Sequence, residues 1–453
     1  MKTADLLARY DGRVPRYTSY PTAPHFSGAV GAQTYEGWLD GLDPTAPLSL
    51  YIHVPFCDRL CLYCGCNTSV VRQEAPKRDY AQLLGREISM LADRLGGRAQ
   101  VSHVHWGGGT PTSLPNDCLT SIMDLIRKRF ILRTDAEIAI EIDPTSFTAD
   151  KCDAIILMGV NRASLGVQDF DPAVQAAIGR MQSFEQTAAC ADLLRGGGIS
   201  ALNLDLIYGL PLQTIASVTR TAQQALALAA GRIAVFGYAH VPWMKRHQAL
   251  IAEASLPDTL ARFAQLNAIA HVLSQAGGYV PVGLDHYARP DDALAVALQE
   301  KSLHRCFQGY TTDAAPALIG IGASSIGSLP QGYAQNETRV PAYAAAINAG
   351  KFAIARGVVL TSDDKLRRAV IEKIMCDLDV DLIAMAASFG ANPAGLLHDA
   401  ARLVMFQQDG LVQWNGRRLQ VTPAGRPFVR NVAALFDAYL RMDEAAPRHA
   451  QAV

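Results

Sequence analysis

Between residues 48 and 242 the chain carries six short apolar runs, each ending in polar or turn residues. They are LSLYIHVPF (48–56), VSHVHWGGGTP (101–111), EIAIEIDP (137–144), RASLGVQDF (162–170), LNLDLIYGLP (202–211) and RIAVFGYAHVP (232–242). Their length and their turn-rich boundaries predict strands. Helix-period stretches lie between them: YAQLLGREISMLADRL, LTSIMDLIRKRF, KCDAIILMG, FEQTAACADLLRGGG and TRTAQQALALA. Strand and helix alternate, which predicts βα units, a parallel sheet and helices outside it. Six such units predict a full or partial barrel. The polar and glycine residues gather at the strand ends: a cysteine loop, GGGTP, EIDP, VQDF, YGLP and YAHVP. In parallel βα folds the carboxyl ends of the strands carry the chemistry.

Outside this region the pattern differs. Residues 1–48 show little periodicity beyond ADLLARY and predict an arm laid over the rest of the molecule. From about residue 360, TSDDKLRRAVIEKIMCDLDV and PAGLLHDAARLVMFQQDG predict helices. LVQWNGRRLQVTPAGRPFVRNVAALFDAYL then predicts a hairpin turned at Asn415-Gly416 and a further helix. The expected division is an arm over 1–48, a barrel over 49–350 and a helical, winged-helix-like domain over 355–445. The wing's only basic patch, NGRR, is weak ground for DNA binding against a lid or packing role. The tail RMDEAAPRHAQAV is expected to fray.

Composition narrows the function. The 453 residues are 49% apolar and 18% charged, with a formal net charge of -1. No overall field draws the protein toward nucleic acid or anionic lipid, so an anionic ligand must meet a local group of Arg or Lys. No run approaches 18 apolar residues and the N-terminus has no apolar h-region, so neither a membrane span nor a secretory signal is expected. A cytoplasmic location with reduced thiols follows as an expectation.

Four of the nine cysteines crowd into ten residues: Cys57, Cys61, Cys64 and Cys66, spaced CxxxCxxCxC. The other five, Cys118, Cys152, Cys190, Cys306 and Cys376, are isolated and expected to be buried small hydrophobes. Structural zinc usually takes two pairs from separated segments, which makes one ten-residue loop an awkward cage. A redox pair at Cys61 and Cys64 leaves Cys57 unexplained. A ferredoxin run is CxxCxxC with a distant fourth ligand. CxxxCxxC fits none of these well.

The spacing resembles that of the radical S-adenosylmethionine (SAM) superfamily. There, three cysteines hold a 4Fe-4S cluster, SAM chelates the open iron, and reductive cleavage gives a 5'-deoxyadenosyl radical. Within the superfamily the chain resembles the oxygen-independent coproporphyrinogen III oxidases. The resemblance runs from PRYTSYPTA (15–23) to VTPAGRPFVRN (421–431) through YIHVPFC, LCLYCGCN, HWGGGTPT, EIDP, GVQDF, NLDLIYGLP, YAHVP, DHYARPDDALAVA and FQGYTT. It implies a partial (β/α)6 TIM-like barrel of the radical SAM type with a C-terminal helical, winged-helix-like domain. It implies a 4Fe-4S cluster, two SAM, coproporphyrinogen III as substrate, and an unidentified electron donor and acceptor. A monomer with no nucleic-acid or membrane partner is expected. Two propionates would each lose a β-hydrogen, CO2 and one electron, giving protoporphyrinogen IX.

The same resemblance implies roles for residues. Cys57, Cys61 and Cys64 hold the cluster. Tyr51 and Tyr63 lie beside SAM, Tyr51 also next to the reacting atoms. Gly108, Gly109 and Thr110 meet its amino acid part, and Glu141 is a further ligand. Gln168, Arg180, Asp205, Ala239 and Ile326 match positions around these sites, including a second SAM. Cys66 is either the fourth, non-ligating cysteine that marks this branch, with a catalytic role, or a small residue tolerated in a tight loop. Read alone, Glu141 is a strand-end carboxylate, Arg180 a solvated charge on a helix, Asp205 a buried paired acid, and Ala239 and Ile326 plain core. GGGTPT lacks the lysine of a P-loop. Four propionates need cations, and Arg16, Arg289 and Arg305 are the candidates because Arg grips carboxylates through two parallel bonds.

Two other readings differ in chemistry. Haem-handling relatives in the superfamily tend to lack both the PRYTSYPTA arm and the fourth cysteine, and both are present here. An electron carrier using the cluster alone has no use for a barrel with polar strand ends.

Overall fold

The computed structural model describes residues 3–97 and 99–440. The tail expected to fray begins at residue 441 and lies outside the described residues, as do positions 441–445 of the expected C-terminal domain. Among the described residues no helix is long and apolar enough to cross a membrane.

Strands β1 (Leu48–Val54), β2 (Gln100–Gly108), β3 (Ile131–Ile142), β4 (Arg162–Gln168), β5 (Ala201–Tyr208) and β6 (Arg232–Gly237) lie side by side, parallel, in chain order. Helices Glu74–Arg94, Asn116–Arg129, Ala149–Leu157, Phe184–Gly196, Ile215–Ala227 and Thr259–His271 follow them in turn. These are six βα units of a partial barrel. Six further strands extend the sheet: β7 (Val280–Val282), β8 (His286–Ala288), β9 (Ala317–Ile321), β10 (Ile326–Leu329), β11 (Gly332–Asn336) and β12 (Ile354–Val359). The order is β12-β11-β10-β9-β1-β2-β3-β4-β5-β6-β8-β7, so the barrel is open. β9 pairs parallel with β1, whereas β8 runs antiparallel to β6.

Burial alternates along β4 and β5 as a period of two requires. Ala163, Leu165, Leu202 and Leu204 are fully buried and pack in one core with Cys190, Leu194, Val218 and Ala222 of the following helices. A buried Leu of this kind contributes about 1.5–3 kcal/mol. The alternate residues Ser164, Asn203 and Asp205 hydrogen-bond one another on the opposite, inner face. Capping boxes at Ser183/Gln186 and Thr214/Ser217 fix two helix starts. The first barrel helix begins at Glu74, ahead of its apolar period, with Pro76 tolerated in its first turn.

The C-terminal region opens with helix Ser362–Asp377, capped by Thr361 and Asp364. A three-stranded sheet follows, β13 (Asp379–Asp381), β14 (Val412–Trp414) and β15 (Arg418–Val421), in the order β13-β15-β14. Gly416 takes the left-handed turn of the hairpin at φ +86. PAGLLHDAARLVMFQQDG forms two helices, Ala394–Ala400 and Leu403–Gln408, not one.

The arm is shared between two cores. Leu7, Tyr10, Val14, Tyr17 and Tyr20 join Leu366, Phe406 and Phe428 of the C-terminal region. Helix Ala32–Asp40 instead puts Tyr35, Trp38 and Leu39 into the barrel core.

Candidate active site

The cysteine loop leaves β1 at the carboxyl end of the parallel strands. Cys57 sits on a two-residue strand paired with Ser69–Val70. Its Sγ is 3.2 Å from Thr68 Oγ1 and accepts from Thr110 Oγ1 at 3.6 Å. Leu62 N–H donates to Ile178 O at 2.9 Å, which ties the loop to the β4 unit. A second loop braces it from the other side: Lys245 Nζ donates to Cys66 O and Gln248 Nε2 to Tyr63 O, each at 2.8 Å, and His247 Nε2 lies 2.8 Å from Cys64 O. Tyr63 packs against the apolar cluster of Val174, Ile178, Leu210, Tyr238 and Ile251. Cys61 is buried, Cys57 and Cys64 half-buried and Cys66 exposed, and all nine cysteines are free thiols. A hydrogen bond from Cys66 lowers the Cys64 thiol below its ordinary value. Of the five isolated cysteines, Cys152, Cys190 and Cys376 are buried as expected, while Cys118 and Cys306 are only half-buried.

The glycines at the end of β2 permit close approach. A Cβ on Gly107 would lie 2.7 Å from Glu141 Oε1, and one on Gly108 would lie 2.7 Å from the His53 ring. One on Gly109 would lie 2.6 Å from Phe56 O and 3.0 Å from Cys57 Sγ. Gly108 also sits at φ +117, where other residues are strained. Gly108 N–H donates to Glu141 Oε2 at 3.1 Å, and His105 Nε2 is 3.3 Å from Oε1. Thr110 N–H donates to Phe56 O at 2.8 Å. Tyr51 stacks near His105 with its hydroxyl 3.0 Å from His53 Nδ1. Three soft thiols on one loop, with Cys57 against the glycine backbone, are the donor set an iron–sulfur cluster takes, although among the described residues they are not drawn together as a ligand group.

Gln168, Arg180 and Asp205 meet around β4 and β5. Arg180 is not a solvated helical charge. It lies in the turn between helices Pro172–Ala177 and Phe184–Gly196, only 7% exposed. Its Nη2 donates to Asp143 Oδ1 at 2.9 Å and to Gly166 O at 2.8 Å, and its Nη1 lies 3.7 Å from Cys61 Sγ. Burial opposes the charge, but Tyr63, Asp143 and Cys61 outweigh it and hold the guanidinium above its ordinary value. Gln168 takes φ +70 at a bulge in β4, and a Cβ on Gly166 would lie 3.0 Å from its Nε2 and 3.4 Å from Arg180 Nη2. Asp205 accepts from Ser164 Oγ and Asn203 Nδ2 at 2.9 Å each. Burial first, then the nearby Glu141 charge, pushes its carboxyl up to about 6, against those hydrogen bonds. Ala239 follows the end of β6 and Ile326 opens β10, both at the same end of the sheet.

The three candidate cations part company. Arg16 Nη2 donates to Gly237 O at 2.7 Å, at the mouth end of β6. Arg305 donates Nε and Nη2 to Arg16 O at 3.2 Å, with its side chain 3% exposed. Arg289 lies at the opposite end, because antiparallel β8 places Ala288 against Arg232, the first residue of β6. Its side chain is 52% exposed beside Asp291. Sequence reasoning missed His53, His105, Asp143 and Asp285. The alternation of HVHWG on β2 was the available signal for His105.

Residues 51–225 match the model of the Radical SAM superfamily, and residues 360–428 that of the HemN C-terminal domain. An oxygen-independent coproporphyrinogen III oxidase of Bradyrhizobium diazoefficiens is 52% identical over 451 residues, 99% of this chain and 100% of the relative. One of Paracoccus denitrificans is 42% identical over 447 residues, 99% of this chain and 98% of the relative. A solved structure of coproporphyrinogen III oxidase (HemN) from Escherichia coli, described as a radical SAM enzyme, matches with a TM-score of 0.90 at 39% identity, covering 95% of this chain and 100% of that one. Likeness of this extent, on a partial barrel whose cysteine loop and glycine cradle meet at one end, means that the chain belongs to the oxygen-independent coproporphyrinogen III oxidase family of the radical SAM superfamily.

Proposed function

We propose that this enzyme converts coproporphyrinogen III to protoporphyrinogen IX without oxygen, by oxidative decarboxylation of two propionates. One observation carries the reading. Cys57, the Gly108–Glu141 bond and the Arg180–Asp143 pair converge at one end of the sheet, in a chain 52% identical along its length to a named oxidase.

When bound, a 4Fe-4S cluster on Cys57, Cys61 and Cys64 together with SAM supplies the radical that removes a propionate β-hydrogen. The chain's own residues bind, orient and exclude water. Gly108, Gly109 and Thr110 present backbone with little side chain, and Glu141, fixed by Gly108 N–H, keeps lone pairs for an ammonium or hydroxyl. Arg180, Gln168 and Asp205, with Ala239 and Ile326 alongside, form the bed of a second SAM. Tyr51, oriented by His53, fills the space beside the reacting atoms. Cys66 borders the same space from the rim of the loop. Arg16 meets the substrate's carboxylates at the mouth. Productive transfer needs reacting atoms within about 3–3.5 Å, which this rigid strand-end surface serves. The enzyme works as a cytoplasmic monomer with a separate electron donor and acceptor.

The test is an anaerobic assay of the iron- and sulfide-reconstituted protein with dithionite, SAM and coproporphyrinogen III. Vinyl product with about two 5'-deoxyadenosines per substrate is expected, one per decarboxylation. Deoxyadenosine without vinyl product would point to a haem-handling relative and sink the oxidase reading. No SAM cleavage by the cluster-loaded protein would sink the radical chemistry as well.

A further inference from the structure

Arginines from separate parts of the chain gather at the mouth ends of β5 and β6. Gly209, just past β5, and Gly237, the last residue of β6, make room for Arg262. A Cβ on Gly209 would collide with Arg262 Nη1, and one on Gly237 would lie 3.3 Å from its Nη2. The guanidinium stands 5.6 Å from the Tyr208 ring centroid. The carbonyl of the same Gly237 accepts from Arg16 Nη2 at 2.7 Å. Two guanidinium groups therefore abut one glycine. Behind them Arg305 grips Arg16 O with two bonds and lies 4.4 Å over the Tyr310 ring. Its Nη1 is buried without a hydrogen-bond partner, 3.9 Å from Asp285 Oδ1. Arg16 donates no side-chain hydrogen bond to the described residues beyond the one to Gly237.

Like charges held this close repel, Asp285 beside Arg305 offsets part of that repulsion, and a further anion at the rim would relieve more of it. Planar guanidinium forks match carboxylates best. We propose that Arg16 and Arg262, with Arg305 positioning Arg16 from behind, form a carboxylate clamp at the β5–β6 rim that takes the two propionates retained in the product. The clamp rests on the function proposed above, since its ligand is the same substrate. A carboxylate that leaves as CO2 would abandon its cations unpaired, so the clamp holds those that stay.

The experiment titrates the cluster-loaded protein with coproporphyrin III, a fluorescent stable analogue of the substrate, and with its tetramethyl ester. Arg16→Gln and Arg262→Gln are each expected to weaken coproporphyrin III binding by about tenfold to a hundredfold, the loss of one charged hydrogen-bonding partner. The ester should bind weakly and respond to neither substitution. Variants that keep wild-type melting and iron content but bind coproporphyrin III normally would overturn the clamp. Should a variant misfold, the wild type decides alone: glutarate must displace coproporphyrin III better than chloride at equal ionic strength, and equal displacement overturns the proposal. If the wild type does not bind coproporphyrin III yet glutarate raises its melting temperature and not that of Arg16→Gln, the clamp stands and the proposed substrate falls. If glutarate does nothing either, both fall.

Discussion

Gly108 donates its backbone N–H to Glu141 Oε2 at 3.1 Å, across neighbouring strands β2 and β3. The bond exists because residue 107 has no side chain: a Cβ there would lie 2.7 Å from Glu141 Oε1 and 3.0 Å from the Tyr51 ring. Gly107→Ala should therefore displace Glu141 while leaving the thiols in place. We expect SAM affinity to fall by about tenfold, the worth of one charge-assisted hydrogen bond, with iron content unchanged. Calorimetric titration of SAM into reconstituted protein reads this, and an unaltered affinity would remove Glu141 from the ligand set.

The cysteines should divide by role. Alanine at Cys57, Cys61 or Cys64 is expected to abolish retention of the cluster, read as iron content after reconstitution and desalting. Cys66→Ser should keep the iron and lose turnover. Cys66 is exposed on the rim, its carbonyl held by Lys245 and its thiol beside that of Cys64. If Cys66→Ser turns over like the wild type, the residue is merely a small one tolerated in a tight loop.

Asp205 links the site to pH. Its carboxyl is raised to about 6, chiefly by burial, from an ordinary value near 3.8. A raised folded-state value favours folding while the group is protonated, and that advantage is lost as pH climbs through about 6. The ionised acid therefore burdens the empty protein at neutral pH. Asp205→Asn removes the burden. Its melting temperature relative to wild type should rise as pH climbs from about 3.8 to about 6, the window those two values set, and level off above it, while its binding of a second SAM weakens. A pH-independent difference would show that Asp205 is not the titrating group.

Arg180 shows where sequence reasoning stops. The motifs locate it, yet its setting depends on Asp143, 37 positions away on another βα unit, and no local pattern reports that pairing. Arg289 failed for a related reason. Its place is set by the antiparallel direction of β8, a non-local choice, while HYARPDD reads the same at either end of a sheet. By contrast the six parallel strands were legible because each is an apolar run closed by turn residues. Helix Ala32–Asp40 escaped because it is a short segment without a side-chain cap.

The Arg180–Asp143 pair should behave as a buried ion pair. Both side chains are over four-fifths buried, at 8% and 14% exposed. Arg180→Ala leaves Asp143 with the Thr145 donors and only the longer ion pair to Arg59 at 3.9 Å, at a cost of about 1.5–3 kcal/mol, that of a lost charged hydrogen bond. Arg180→Lys keeps the charge but not the fork onto Gly166 O, and should fall between. Chemical denaturation of the three proteins gives the order, and equal stabilities would mean that the pair is solvated in solution.

The arm's role follows from which core it enters. Tyr10 is 5% exposed, its ring centroid 4.6 Å from that of Phe406 and 5.7 Å from that of Phe428, and its hydroxyl donates to Asp409 at 2.7 Å. Arg9 pairs with the same carboxylate at 2.7 Å. Arg430 reaches back to Pro15 O at 3.0 Å, and Tyr17 donates to Asp437 at 3.0 Å. A strap resting on a finished domain would make few such contacts. Here the C-terminal core is incomplete without the arm, and Tyr10→Ala should destabilise that region by about 3–5 kcal/mol, the usual cost of emptying a buried aromatic site. The barrel core includes none of these residues, so iron loading should survive. Because Arg16 follows Tyr10 by one short stretch, loosening the arm should also raise KM for coproporphyrinogen III more than it lowers kcat. Hydrogen exchange comparing residues 362–377 in the two proteins separates the cases. Faster exchange there, with unchanged exchange in β1–β6, is the expected result, and no change in helix Ser362–Asp377 would make the arm a superficial strap after all.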